Sequence, residues 1–310
     1  MNESREYDGR VIKSFGKRFI VVTPNGTFDC EMRGRFRIGT GAIGGPVVVG
    51  DHVTISVENP PYGAIESLLP RRNKISRPDI SHPGKEQVIV ANCDQLVVVS
   101  SVAQPKFKQR AIDRFLLSAE RNEMDGVVVI NKTDLATTGA HLRLAEIYQS
   151  IGYQAVLTSA VQGLGMDRLR EIVRLKTSIF VGHSGVGKSS LLNTLQPGLA
   201  VATGEISDST GRGIHTTTAV ELHPLDFGGF IVDTPGQRVI SMWEASVEEL
   251  PSLFREFGPY LGNCKFRQCM HIGEPGCKIT EAIQQGKIAP ERYDSYLRIR
   301  QSLIDEKPEW

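Results

Sequence analysis

Residues 177–195 read Thr177-Ser178-Ile179-Phe180-Val181-Gly182-His183-Ser184-Gly185-Val186-Gly187-Lys188-Ser189-Ser190-Leu191-Leu192-Asn193-Thr194-Leu195. A short apolar run, a glycine-rich loop and a helical pattern follow one another without a break. The loop fits G-x-x-x-x-G-K-S/T, the P-loop, in its strand-to-helix context. Glycines at 182, 185 and 187 let backbone N–H groups turn inward around a phosphate, aided by the positive end of the helix. His183, Ser184, Val186 and Ser190 complete the expected lining. Lys188 is expected to neutralise the β- and γ-phosphates, and the Ser189 hydroxyl to ligate Mg²⁺. The alternative is a plain glycine-rich strand–helix turn.

Outward from this loop, buried strands alternate with helices. Leu96 to Val99, Val127 to Ile130, Ala155 to Leu157 and Ile179 to Val181 are strand-like. Between them run helical faces carrying Ile112, Phe115, Leu116 and Ala119, then Leu142, Ala145 and Tyr148, then Leu169, Ile172 and Val173. This alternation predicts an α/β unit with a parallel sheet covered on both faces. Asn131-Lys132-Thr133-Asp134 directly follows one strand. A carboxylate there can accept from guanine N1–H and N2–H₂, whereas adenine offers the opposite pattern, so Asp134 selects guanine. Asn131 can bridge base and loop, and the Lys132 stem can lie along the base. Ser159 and Ala160, after the next strand, suit the loop whose backbone N–H meets guanine O6.

Asp233-Thr234-Pro235-Gly236 follows the strand Phe230-Ile231-Val232. Asp233 is expected to hold Mg²⁺ through water, and the Gly236 amide to sense a γ-phosphate. Thr203 to Thr218 is rich in Gly, Ser and Thr and nearly free of apolar residues, so it cannot dock by burial and is expected to order only with ligand. Within it Thr217 is the choice for the hydroxyl that reaches Mg²⁺, with Thr216 and Thr218 behind it and a linker without a metal role as the other reading. Common GTPases run P-loop, switch threonine, D-x-x-G, N-K-x-D and S-A along the chain. Here N-K-x-D and S-A come first. All these loops sit on one edge of a parallel sheet, so a permuted chain preserves the site.

The rest of the 310 residues bounds the possibilities. The chain is 40% hydrophobic and 23% charged, enough for real cores. Its net charge of +1 conceals a pattern. Residues 1–110 carry 16 Lys and Arg against 11 Asp and Glu, and residues 111–263 carry 12 against 17. A uniformly basic nucleic-acid binder is excluded, whereas a basic N-terminal unit is not. No apolar run approaches the ~18 residues of a membrane helix, and the polar N-terminus lacks a signal core. A cytoplasmic protein with reduced thiols and no membrane partner is expected.

Residues 1–65 read as short strands: Val11-Ile12, Phe19 to Val22, Thr27 to Arg37, Val47 to Val49, and Val53 to Val57. Pro24-Asn25-Gly26 supplies a hairpin turn. Five strands in this length predict a small closed barrel of the OB type. Arg33, Arg35 and Arg37 share one strand face, and two readings stand level: a solvated face or an RNA phosphate track.

Cys264, Cys269, His271 and Cys277 fall within 14 residues as C-x₄-C-x-H-x₅-C. Three thiolates and an imidazole complete a tetrahedral Zn²⁺ set with no open position, so the ion is read as structural. Reduced core cysteines beside a surface histidine are the alternative. Cys30 and Cys93 read as buried bystanders. Ser246 to Glu249 matches a capping box, and Tyr293, Leu297, Arg300 and Ile304 share a helical face.

Together these motifs closely resemble one family, the circularly permuted ribosome small-subunit-dependent GTPase A (RsgA) family, over nearly the whole chain. The likeness rests on the motif order, on the Glu274-Pro275-Gly276-Cys277 ending of the cysteine region, and on Gly211-Arg212-Gly213-Ile214-His215-Thr216-Thr217, which is similar to the family's switch I. It implies an OB-fold domain over residues 1–68, a circularly permuted G domain over 78–242 and a helical zinc-binding domain over 243–310. It also implies a GTP hydrolase of late small-subunit maturation, stimulated by the subunit, contacting rRNA near the decoding region, and cycling between GTP and GDP as a monomer. His215 falls on the histidine proposed to assist hydrolysis in the family. The residue after D-x-P-G is commonly apolar there, whereas this chain has Gln237, the residue type that positions water in other GTPases. Both His215 and Gln237 are therefore candidates.

Overall fold

Period-two burial builds the first unit, as in β2, where Phe19, Val21 and Thr23 point inward and their neighbours outward. The computed structural model describes residues 5–33, 47–78, 86–105, 107–199, 220–233 and 245–305. Five strands, β1 (Arg5–Phe15), β2 (Arg18–Thr23), β3 (Gly26–Met32), β4 (His52–Asn59) and β5 (Tyr62–Leu68), pair in the order β1-β2-β3-β5-β4. Strand β4 closes back on β1, and β3 runs parallel to β5. This is the expected OB barrel, with Val11, Phe19, Ile55 and Ile65 in its centre. The Pro24-Asn25 turn joins Thr23 to Gly26, and the Thr23 hydroxyl accepts from Asn25 N–H at 3.0 Å.

Two strand expectations need correction. Strand β3 stops at Met32, and Arg35 and Arg37 lie outside the described residues. Arg33 pairs with Glu66 at 2.6 Å rather than presenting an unengaged cation. Val47 and Val49 are buried, but their backbone turns instead of extending. The Asp51 carboxylate accepts from Val48 N–H at 2.7 Å, so a side chain takes the bond that a sheet partner would have supplied.

After the barrel comes a hairpin that sequence patterning did not reveal, β6 (Lys74–Pro78) with β7 (Glu86–Ala91). Next come β8 (Gln95–Ser101), α1 (Gln109–Arg121), β9 (Asp125–Asn131), α2 (Ala140–Ser150), β10 (Gln154–Leu157) and α3 (Met166–Val173). The unit continues with β11 (Thr177–Val181), α4 (Lys188–Leu195), β12 (Glu221–Pro224) and β13 (Phe230–Asp233). The strands order as β10-β9-β8-β11-β13-β12, parallel except for β12. Strand β8 leads outward to one side and β11 to the other, so the topological switch point lies between their carboxyl ends. Hydrophobic layers cover both faces. On α2, Leu144, Ala145, Ile147 and Tyr148 are buried while Leu142 is 50% exposed. The inward row is thus offset from the one read with Leu142.

The C-terminal unit comprises α5 (Leu250–Leu253), a 3-10 segment (Arg255–Tyr260), α6 (Lys278–Gln284) and α7 (Pro290–Asp305). The capping box forms: Ser246 N–H donates to the Glu249 carboxylate at 2.9 Å, and Glu249 N–H to the Ser246 hydroxyl at 3.1 Å. The buried row of α7 is Arg292, Ser295, Tyr296, Ile299 and Leu303, and the face shared by Tyr293, Leu297, Arg300 and Ile304 lies beside it, with Ile304 exposed. Arg292 is the unexpected member of that buried row. Its guanidinium donates to Glu256 at 2.6 and 3.2 Å and to Asp113 of α1 at 2.5 Å, and it lies 4.6 Å from the Phe254 ring centroid. Tyr148 donates to the same Asp113 oxygen at 2.6 Å. A residue type that patterning sends to solvent is instead the charged centre of the contact between α7 and the sheet-covering helices.

Candidate functional site

The P-loop lies at the switch point, between β11 and α4. Gly182 has φ +145°, and a Cβ there would stand 2.1 Å from the Val99 carbonyl oxygen of β8. Gly187, with φ +95°, caps α4, and its Cβ would stand 2.3 Å from Asn131 Nδ2. Both glycines are thus required by conformation and by space. Lys188 donates to the loop carbonyls of Gly182 at 2.8 Å and His183 at 3.0 Å. Burial holds its ammonium below the usual lysine range.

Asn131, at the end of β9, joins three loops. Its Nδ2 donates to the Val186 carbonyl at 3.0 Å, and its Oδ1 accepts from the Thr158 hydroxyl at 3.1 Å and from Ala160 N–H at 3.4 Å. The residue is 1% exposed, so these bonds form in a desolvated setting where leaving one unmade is costly. Lys132 takes the left-handed conformation, φ +60°, and its ammonium reaches the Gln104 carbonyl at 2.5 Å. Thr133 donates to the Thr158 carbonyl at 3.0 Å. Asp134 accepts from the Ser159 hydroxyl at 2.6 Å, which orients its carboxylate from the side. The residues quoted from 131–134, 158–160 and 182–190 thus come together on one sheet edge. Sequence reasoning missed the role of Ser159 in orienting Asp134 and of Gln104 in receiving Lys132. Only spatial adjacency of β8, β9 and β10 reveals them.

Asp233 ends β13, whose Val232 is in register with Ile179 of neighbouring β11, so the aspartate stands beside the P-loop strand. A serine hydroxyl at 189 and a carboxylate at 233 are hard oxygen donors of the kind Mg²⁺ prefers. Thr217 with its neighbours Thr216 and Thr218, His215, Gly236 and Gln237 lie outside the described residues.

The second cluster lies on the loop ahead of α6. The ligand atoms of Cys264, Cys269, His271 and Cys277 all lie within 4.8 Å of one another. His271 Nδ1 stands 3.5 Å from both Cys264 Sγ and Cys277 Sγ. Sulfur at about 2.3 Å and nitrogen at about 2.0 Å from a tetrahedral zinc are themselves about 3.5 Å apart, so the donor set fits the ion. The outer shell is built as well. Lys278 N–H donates to Cys264 Sγ at 3.3 Å, and Tyr293 donates to the His271 carbonyl at 3.0 Å. The Glu274 carboxylate accepts from Met270 N–H at 2.8 Å and Ile272 N–H at 2.7 Å. Such contacts hold ligands in place for a metal. Cys30 and Cys93 are buried elsewhere, as expected.

Comparison with known proteins bears on both sites. The profile described as RsgA GTPase matches residues 68–243, and that described as RsgA N-terminal domain matches residues 8–65. The chain belongs to the RsgA GTPase family. A relative from Caldanaerobacter subterraneus subsp. tengcongensis, named small ribosomal subunit biogenesis GTPase RsgA, is 38% identical over 96% of each chain. Its namesake from Gemmatimonas aurantiaca is 40% identical over 96% of this chain and 97% of its own. Among solved structures, YjeQ from Thermotoga maritima matches with TM-score 0.81 and 36% identity over 98% of this chain and 100% of that one. YloQ, described as a circularly permuted GTPase, matches with TM-score 0.77 and 31% identity over 99% and 98%. As an RsgA-family GTP hydrolase, the chain combines an N-terminal barrel, a circularly permuted GTPase core and a Cys₃His cluster that can hold zinc. Its family uses Mg²⁺ with GTP. Among the described residues, no helix is long and apolar enough to cross a membrane.

Proposed function

We propose that this chain binds GTP with Mg²⁺, docks on the small ribosomal subunit late in its maturation, and hydrolyses GTP to GDP and phosphate when the subunit stimulates it, which drives release. The observation that carries the nucleotide reading is Asn131, whose one side chain ties the guanine-reading loop to the P-loop through Val186. Asp134, oriented by Ser159, accepts from the guanine N–H groups, and Ala160 N–H faces O6. Residues 182–190 cradle the phosphates, and Lys188 neutralises the charge that develops there. Ser189, Thr217 and, through water, Asp233 would hold Mg²⁺, which would supply positive charge against the phosphates. His215 and Gln237 are the two candidates for orienting the attacking water, and the Gly236 amide for sensing the γ-phosphate.

Residues 1–68 form the RNA-binding barrel, 78–242 the G domain and 243–310 the zinc-binding domain, with the barrel and zinc domain contacting rRNA. The relatives' names support the small subunit as partner. The protein acts as a cytoplasmic monomer. The test is GTP turnover with and without purified small subunits, together with co-sedimentation in a non-hydrolysable GTP analogue or GDP. Many-fold acceleration and retention with the analogue are expected. Equal, slow turnover in both conditions would leave a nucleotide-gated RNA-binding scaffold instead.

A further inference from the structure

Residues 102–105 open the connection from β8 to α1 and touch both nucleotide loops. At the near end, Ser101 is in register with Asn131, and Val102 N–H donates to the Asn131 carbonyl at 3.1 Å. A side chain holds the far end: the Ser101 hydroxyl donates to the Pro105 carbonyl at 2.6 Å. Ser101 is buried, whereas Gln104 and Pro105 are exposed. A short surface loop is thus closed over a buried hydroxyl, the local side-chain-to-backbone bond that serine favours.

Two contacts leave this loop. On one side the Gln104 carbonyl accepts from the Lys132 ammonium at 2.5 Å. On the other, a Cβ added to Gly185 would stand 3.5 Å from Pro105 Cδ and 3.9 Å from the Gln104 oxygen. These are ordinary contact distances, so the loop lies against the phosphate loop at Gly185. Gln104 has φ +51° and Lys132 φ +60°. A non-glycine residue enters that left-handed region at a cost and stays only where its surroundings hold it. Asn131 makes the buried tie between the guanine-reading and phosphate loops, and residues 101–105 make a second one nearer solvent.

An unrestrained lysine samples many rotamers, and a base laid along its stem would have to freeze them. Here the ammonium is already seated on a carbonyl. We propose that Ser101 is a positioning residue for the guanine site: by holding the Pro105 carbonyl it sets the Gln104 carbonyl that seats Lys132, so the lysine stem is extended before nucleotide arrives. This rests on the guanine reading under Proposed function, with the Lys132 stem along the base. The backbone carbonyl of Gln104 cannot be removed by substitution, so the Ser101 hydroxyl is the handle on it.

The experiment is calorimetric titration of the full-length chain with GDP and with ADP. Lys132→Ala should weaken GDP binding by about 30-fold, and Ser101→Ala by about threefold to tenfold. The Ser101→Ala/Lys132→Ala double variant should match Lys132→Ala within about twofold, because the serine acts through the lysine. Ser101→Thr keeps the hydroxyl and should stay within about twofold of the parent. A general loosening of the fold would weaken binding in the Lys132→Ala background as well. GDP affinity unmoved by Ser101→Ala, with Lys132→Ala weakened, overturns the proposal and leaves the lysine in its role. Independent, multiplying effects of the two substitutions overturn it too. Affinity unmoved by Lys132→Ala removes the lysine's role and the proposal with it. A parent chain that binds ADP as tightly as GDP removes the guanine reading itself.

Discussion

Asn131 and Asp134 are three residues apart in sequence but do different work. The first is a buried structural tie, and the second, held by the Ser159 hydroxyl, is the carboxylate proposed to read the base. Replacing Asp134 with Asn exchanges an ionised acceptor for an amide. It should weaken GTP binding by about 2–3 kcal/mol, roughly 30- to 150-fold, with little change in the phosphate contacts. Titration with GTP and ATP analogues reads this as lost guanine preference, and undiminished preference would remove the base-reading role. Ser159→Ala should cost about 1 kcal/mol by the same assay, because Asp134 loses an orienting donor but keeps its charge. For hydrolysis, subunit-stimulated turnover of His215→Ala and Gln237→Ala identifies the water-orienting residue. The stronger loss marks it, and normal rates in both would dismiss the two together.

At the scale of elements, the α1–α7 contact depends on a charge that no amphipathic pattern would place inside. Arg292→Leu leaves Asp113 and Glu256 buried without their cation, and should destabilise the chain by about 3–5 kcal/mol in urea unfolding. Replacing all three with apolar residues of similar volume should recover most of that loss, since desolvating the ions offsets much of their attraction. If Arg292→Leu were neutral, the network would be a bystander to packing by Phe254 and Tyr296. Arg255 makes a second contact between the same units, donating to Glu120 at 2.6 Å and stacking 4.1 Å from the Tyr153 ring centroid. These contacts, with that of Arg114 donating to Ser302 at 2.6 Å, clamp the helical unit to the GTPase core.

At the scale of the whole molecule, the eleven strands of barrel and core form one hydrogen-bonded series joined at Lys13 and Glu221. Arg10 reinforces the junction, donating to Thr177 at 2.6 Å and to the Asn92 carbonyl at 2.7 Å. Zinc organises the far end. Metal analysis should find about one zinc per chain, and Cys277→Ser should lose most of it. Because Tyr293 and Tyr296 of α7 bond to carbonyls in the cysteine loop, chelation should lower the melting temperature, not merely strip a surface ion. Loss of zinc with unchanged melting would show the loop to be held by its own hydrogen bonds.

Sequence alone determined the features that depend on short-range chemistry. The phosphate loop, the N-K-x-D tetrapeptide, the permuted order, four of the five barrel strands and the Cys₃His spacing are all local patterns, because turns, ligand sets and strand periods are set within a few residues. The +5 balance of residues 1–110 and the −5 balance of residues 111–263, beneath the near-neutral net charge, were equally legible. The sequence could not show that Ser159 orients Asp134, that Arg292 lies inside, that Val47 to Val49 turns around the Asp51 carboxylate, or that β1, still paired with β2, also meets β12. Each depends on which distant segment arrives to satisfy a charge or an unpaired backbone group. Burial makes such a partner obligatory without naming it, and only the tertiary structure decides which residue answers.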